Sequence, residues 1–169
     1  IKAFQLMWLT LTRPNESVQA EWKEFDLENS LWTIPARRMK ARREHVVSLP
    51  TQALELLKAM LPITGHTRFV FPNRDDRQRP MADAALRQAL KKLGWATKYS
   101  PHGTRTTGST RLNEMGYRPD AIEAQLAHAE PNSVRRTYNH ATYLDERRVM
   151  MQDWADKLDA WKLAAQDDD

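Results

Sequence analysis

The chain has 169 residues, of which 41% are hydrophobic and six are tryptophan, and it has no cysteine. It can therefore bury a core of its own, and it carries neither disulfides nor thiolate metal sites. No apolar run approaches the roughly 20 residues of a membrane span and no secretory signal is visible, so a cytoplasmic setting without a membrane partner is expected. The formal net charge is +4 even with the acidic end Asp167-Asp168-Asp169, and a basic surface attracts polyanions.

Residues 1–11 are predicted to form a helix carrying the apolar residues Ile1, Phe4, Leu6, Met7 and Leu9, broken by Thr12-Arg13-Pro14-Asn15. A short helical turn follows from Glu16 to Ala20. Three short strands are predicted at Trp22 to Phe25, Leu31 to Ile34 and Val46 to Leu49, with Asp26-Leu27-Glu28-Asn29-Ser30 turning between the first two. Between the second and third strands lie five cations, Arg37, Arg38, Lys40, Arg42 and Arg43, against the single anion Glu44. Such a loop can reach into a ligand groove and withdraw.

From Thr51 the period becomes helical, with Ala53, Leu56, Leu57, Met60 and Leu61 on one stripe and a stop at Pro62 and Gly65. Phe69-Val70-Phe71-Pro72 reads as extended, and Met81 to Leu93 as a helix ended by Gly94. Ser100-Pro101 starts a helix through His102, Arg105 and Leu112, ending near Gly116. Pro119 opens another, with Ile122 and Leu126 inward. A short helix is predicted from Val134 to Tyr138. A long one runs from about Leu144, with Met151, Trp154, Leu158 and Trp161 packing on their own domain or on a neighbouring subunit. The expected fold is one mainly α domain over residues 1–169 with a small three-stranded antiparallel sheet, an α+β arrangement. Because the chain opens at Ile1 inside an apolar run, it reads as a fragment of something longer.

Six scattered residues suit attack on a DNA phosphodiester without a metal. Arginine stays charged and its planar fork can clamp the non-bridging oxygens, which suits Arg13 and Arg105. Lys40 suits the acid that protonates the leaving 5′ oxygen, although Arg37, Arg38, Arg42 or Arg43 would serve equally well as phosphate contacts. His102 can take or relay the proton of a tyrosine nucleophile, and His128 can hold the phosphate by a hydrogen bond. Tyr138, flanked by Arg135 and Arg136, suits the nucleophile, with Tyr143 as its rival five residues on. A metal hydrolase is not expected, since no His-Glu-x-x-His pattern occurs and no cysteine assists.

The stretches Thr12-Arg13-Pro14-Asn15-Glu16, Arg38-Met39-Lys40, Pro101-His102-Gly103-Thr104-Arg105, Gln125-Leu126-Ala127-His128 and Arg136-Thr137-Tyr138-Asn139-His140-Ala141 resemble, in order, the tyrosine recombinases. The integrases of prophages and genomic islands are the most similar group. Glu21-Trp22 and Met150-Met151-Gln152-Asp153-Trp154 extend the likeness over nearly the whole chain. It implies the tyrosine recombinase catalytic-domain fold and the C-terminal catalytic part of an integrase whose N-terminal DNA-binding domains lie elsewhere.

The resemblance also implies strand cleavage through a 3′-phosphotyrosine, with no metal or nucleotide cofactor. By motif, Arg13 and Arg105 are the clamp, Lys40 the general acid, Tyr138 the nucleophile, His102 the proton assistant and His128 a phosphate ligand. Glu16 would orient Arg13 or a neighbouring histidine, and Arg37, Arg38, Arg42, Arg43, Arg135 and Arg136 would contact DNA. The implied partners are double-stranded attachment sites, three further copies in a homo-tetramer on DNA, and excision or accessory factors. Two departures stand out. Leu11-Thr12 replaces a glycine-containing approach to the first arginine, and Ala127 stands where glycine is common. Two other functions remain open: a catalytically silent DNA-binding or regulatory module, and a DNA-relaxing enzyme like the type IB topoisomerases.

Overall fold

A computed structural model describes residues 1–128 and 143–167. Helix α1 (Lys2–Thr10) buries Ala3, Leu6, Met7 and Thr10 and ends at Leu11, whose φ of 55° turns the chain sharply into α2 (Pro14–Val18). Pro14 opens α2 with no N–H to leave unpaired. The first strand is shorter than expected. Trp22–Glu24 form a 3₁₀ turn and β1 is Phe25–Asp26. The reason is local: the Glu24 N–H bonds the Glu21 carbonyl at 3.0 Å, and the Glu21 N–H bonds the Glu24 carboxylate at 3.3 Å, so the backbone coils before it can pair.

β1, β2 (Leu31–Ile34) and β3 (His45–Ser48) form an antiparallel sheet in that order. Trp32 faces Val47 and Ile34 faces His45 across the β2–β3 pair. Alternation puts Trp32, Ile34, His45 and Val47 on the buried face. β3 thus begins one residue earlier than expected, and that residue is a histidine inside the protein.

α3 (Thr51–Thr64) runs through Pro62 rather than stopping there. Pro62 lies near the helix's end on an exposed stretch, where one lost backbone bond is tolerated, and Thr64 holds the last turn by bonding the Met60 and Val70 carbonyls. The predicted helix at Met81 begins only at α4 (Ala84–Lys92). The predicted extended run at Phe69 makes isolated antiparallel bridges, Glu21 with Phe69 and Pro72 with Pro80. α5 is Gly103–Glu114, α6 is Pro119–Gln125 and α7 is Leu144–Asp167. The predicted helix Val134–Tyr138 lies outside the described residues.

Two apolar clusters meet at α1. One joins Leu6 and Met7 of α1 to Trp32, Ile34, Val47, Leu57 and Phe71. The other joins Leu11 to Leu112 of α5, Ile122 and Leu126 of α6, and Met150, Met151 and Trp154 of α7. The apolar stripe of α7 is used at home: Trp154 stacks on Trp8 and donates to its carbonyl at 2.7 Å, and Trp161 meets Trp154 edge-on. Fully burying Trp32, Trp154 and the surrounding aliphatics is worth about 2 kcal/mol per side chain before conformational entropy is deducted. The seam between the clusters, where Leu11 and the end of α6 approach, is where the candidate residues Arg13 and Arg105 meet. Among the described residues, no helix is long and apolar enough to cross a membrane, and no group of three or more His, Cys, Asp or Glu could hold a metal ion.

Candidate active site

The C-terminal end of α6 organises the site. A helix end presents unpaired carbonyls and a partial negative charge. Here three successive carbonyls each accept from a different basic side chain. Gln125 O accepts from His45 Nε2 at 3.0 Å, Leu126 O from Arg105 Nη2, and Ala127 O from Arg13 Nη2 at 3.5 Å. Arg105, only 4% exposed, also donates from Nη1 to the Leu11 carbonyl at 2.6 Å. Both carbonyl-bearing turns, Leu11 and Ala127, have left-handed backbones with φ of 55° and 49°. The two positions flagged in the sequence as lacking a glycine are therefore the turns that hold Arg105 and Arg13.

Arg13 is set by Glu16 as well. The Glu16 carboxylate accepts the Arg13 backbone N–H at 2.7 Å and its Nη1 at 3.0 Å, and is itself buried. Burial, and then the neighbouring Arg13 charge, push the Arg105 guanidinium down to about 10, so at neutral pH it remains a cation. Arg13 and Arg105 thus converge, although 92 positions separate them in sequence, and a phosphate between them would relieve their mutual repulsion.

The loop from Pro35 to Glu44 carries Lys40. Its outgoing arm contains a 3₁₀ turn, Ala36–Arg38, and buries Met39. Arg38 differs from the other cations of the loop: its side chain is 8% exposed, ion-paired to Glu24 and donating to the Glu16 carbonyl at 2.6 Å. Arg37 is exposed and reaches Glu21, which also holds Lys23 and Arg68. Hydrogen bonding from Arg68 holds the Glu21 carboxyl down at about 2.

Arg13, Arg37, Arg38, Lys40, Arg42 and His102 line one groove of about 1000 Å³, with Glu16 in its wall. His102 is exposed at the start of α5, one turn before Arg105. Arg43 is exposed but does not line the groove, and buried Arg105 is not among the lining residues either. His128 is exposed, with Nδ1 2.6 Å from Glu123 Oε2, and is also not among the lining residues. Tyr138, Arg135 and Arg136 lie outside the described residues.

The other three tyrosines have committed hydroxyls. Tyr99 donates to Thr104 Oγ1 at 3.2 Å, Tyr117 to Asp153, and Tyr143 to Asp120 at 3.3 Å. Burial raises the Tyr99 phenol, and burial with the Asp153 carboxylate pushes Tyr117 up to about 12. Tyr143, the rival nucleophile, is buried under the Arg118 guanidinium.

Sequence reasoning missed four side chains. Arg87 of α4 lines the groove opposite the Lys40 loop. Gln125 and Arg147 are buried together: Arg147 donates from Nε and Nη2 to Gln125 Oε1 at 3.0 and 2.8 Å and to the Val46 carbonyl, and Gln125 Nε2 donates to the Thr10 carbonyl at 2.9 Å. His45 is the fourth. Its signal was the strand alternation, which runs one residue upstream of Val46 and places it inward with Val47. No comparable periodicity marks Arg87, Gln125 or Arg147.

Residues 2–144 match the phage integrase family. Prophage integrase IntA of Escherichia coli K12 is 47% identical over 156 residues, covering 91% of this chain and 38% of that protein. The integrase of Shigella phage Sf6 is 44% identical over 158 residues, covering 93% of the chain and 41% of the phage protein. The chain therefore spans about two fifths of the length of these curated relatives.

Among solved structures, the integrase of mycobacterium phage Brujita superposes with a TM-score of 0.67 at 18% identity, over 90% of this chain and 51% of that one. The XerH site-specific recombinase, solved on its difH substrate before cleavage, superposes with a TM-score of 0.62 at 25% identity, over 79% and 41%. The fold is that of the tyrosine recombinase catalytic domain, as the sequence resemblance implied. Since the family match spans every motif from Arg13 to Tyr138 and the fold agrees, this chain belongs to the phage integrase family.

Proposed function

We propose that the chain is the catalytic domain of a site-specific DNA integrase that cuts and rejoins strands through a 3′-phosphotyrosine. The observation that carries this reading is the pair Arg13 and Arg105, anchored on adjacent carbonyls just past the end of α6, with Arg13 lining a groove together with Lys40 and His102. A buried cation with rigid carbonyl partners is preorganised for charge on a phosphoryl oxygen, and such groups reorganise little during reaction.

In this reading the Tyr138 oxygen attacks phosphorus, the bond to the 5′ oxygen breaks, and the DNA 3′ end stays on the enzyme. Lys40 gives its proton to the departing 5′ oxygen, while His102 takes or relays the tyrosine proton and His128 bonds a non-bridging oxygen. The attack of a partner strand's 5′ hydroxyl on the adduct reverses these transfers, so the bond energy is retained and neither metal nor nucleotide is consumed. Commitment of the Tyr99, Tyr117 and Tyr143 hydroxyls favours Tyr138 as the nucleophile. Arg37, Arg42, Arg43, Arg87, Arg135 and Arg136 would hold the DNA backbone.

The substrates, in this reading, are double-stranded attachment sites, joined by four copies of the protein with excision or accessory factors. A nicked duplex that loses its 5′ fragment on cleavage tests the chemistry. Wild type is expected to accumulate a covalent DNA adduct and Tyr138→Phe none. Equal adduct from both would overturn the assignment of the nucleophile, and no adduct from wild type would leave a DNA-binding module. Sedimentation with attachment-site DNA should show four copies per pair of sites, and monomers alone would contradict the assembly.

A further inference from the structure

The segment that bears Lys40 is short and clamped at both ends. Its tip, Lys40 to Glu44, is a continuous exposed run between buried Met39 and His45, which is 4% exposed. On the outgoing side Arg38 bonds Glu24 and the Glu16 carbonyl, one residue of the pair that sets Arg13. On the returning side His45 closes the β2–β3 pairing opposite Ile34 and donates to Gln125 O, the carbonyl preceding those that hold Arg105 and Arg13. An inward-facing imidazole is the last fixed point before five residues of exposed chain.

We propose that His45 is a positioning residue for the leaving-group step: its bond to the Gln125 carbonyl ties the returning arm of the Lys40 loop to the same helix end that anchors Arg13 and Arg105, and so sets Lys40 against the clamped phosphate. Two physical points support it. A carbonyl acceptor requires His45 Nε2 to carry a proton, and burial with the nearby Arg147 charge holds the ring neutral, down at about 3, so the bond persists wherever the protein is folded. Gln125 is also held from its side chain by Arg147 and Thr10, so the carbonyl that His45 grips is itself immobile. A proton donor misplaced by about 1 Å forfeits a large part of its effect.

This inference rests on the proposed cleavage chemistry, and the test separates the two. His45→Leu keeps the volume and removes the donor, whereas His45→Gln keeps an N–H near the position of Nε2. Each is assayed in single-turnover adduct formation on two nicked duplexes, one with the ordinary 5′ oxygen at the scissile bond and one with sulfur there. A thiolate departs without protonation because its conjugate acid is far stronger than an alcohol.

We expect His45→Leu to slow cleavage of the oxygen substrate by about 10- to 100-fold, within the range of general-acid effects. The sulfur substrate should be cleaved within about threefold of wild type, as should the oxygen substrate by His45→Gln. Lys40→Ala should show the same rescue by sulfur. DNA affinity should not change in either His45 variant. An equal loss on oxygen and sulfur, or no loss on oxygen, would overturn the role of His45 while leaving the cleavage chemistry intact. Wild type forming no adduct on either substrate would overturn both.

Discussion

At the scale of single residues, the arginines of the basic loop divide into two kinds. Arg38 is buried against Glu24, and removing it leaves a buried carboxylate without its partner, a loss of about 3–5 kcal/mol. Arg42 is exposed and lines the groove. Arg38→Ala should therefore lower Tm by several degrees, whereas Arg42→Ala should leave Tm nearly unchanged and lower the salt slope of duplex binding by about 1. Thermal melts and fluorescence anisotropy against salt read both, and a lowered slope with an unchanged Tm for Arg38→Ala would contradict the division. Sequence alone could not make it, because five cations in an aperiodic loop look alike until one of them meets Glu24.

His45 gives a second prediction at the same scale. Its ring titrates near the ordinary 6.5 when unfolded and at about 3 when folded. Between those values the unfolded chain binds the extra proton, so His45 makes stability fall as pH drops from about 6.5 toward 3, by up to about 1.4 kcal/mol per pH unit. Urea melts across that window should be flatter for His45→Gln than for wild type. Identical slopes would mean that His45 is not held neutral inside the fold.

At the scale of elements, the two left-handed turns respond oppositely to glycine. A non-glycine residue there carries about 1–2 kcal/mol of strain. Ala127→Gly removes it for about 0.5–1 kcal/mol of added unfolded-chain entropy, so Tm should hold or rise by a few degrees. Leu11→Gly removes the same strain but also a fully buried side chain worth about 2–5 kcal/mol, so Tm should fall.

The reason for Leu11 is visible in α5, where a Cβ on Gly108 would sit 2.4 Å from Leu11 Cδ2. Gly108→Ala should cost about 1–3 kcal/mol by overpacking, and should slow cleavage because the Leu11 carbonyl holds Arg105. Differential scanning calorimetry with the adduct assay reads both, and a Gly108→Ala chain with wild-type Tm would show that α5 does not press on this turn. Helix periods were legible wherever an apolar stripe was long, as in α3 and α7. Boundaries set by side-chain caps, such as the Glu21 and Glu24 turn, were not. Nor was the persistence of α3 through Pro62, which depends on where along the helix the proline falls.

At the scale of the molecule, the site lies on the seam between two apolar clusters, and α1 belongs to both. The order of the motifs suggested the reacting groups, and the likeness implied the fold that the structure has. What neither contained was the means of convergence, because three carbonyls at one helix end are backbone atoms and leave no mark in the sequence. The apolar stripe of α7, read as packing on its own domain or on a neighbouring subunit, is largely closed over by Trp8 and its surroundings.

The central claim is that these groups serve a tyrosine-linked DNA intermediate. The most direct measurement is to trap the adduct, digest it with trypsin and locate the nucleotide by mass spectrometry. The account predicts a nucleotide 3′-phosphate on Tyr138 and nowhere else, assigned by fragmentation within the tryptic peptide 137–147, which also holds Tyr143. A nucleotide on Tyr143, or a 5′-phosphate linkage at any residue, would contradict it.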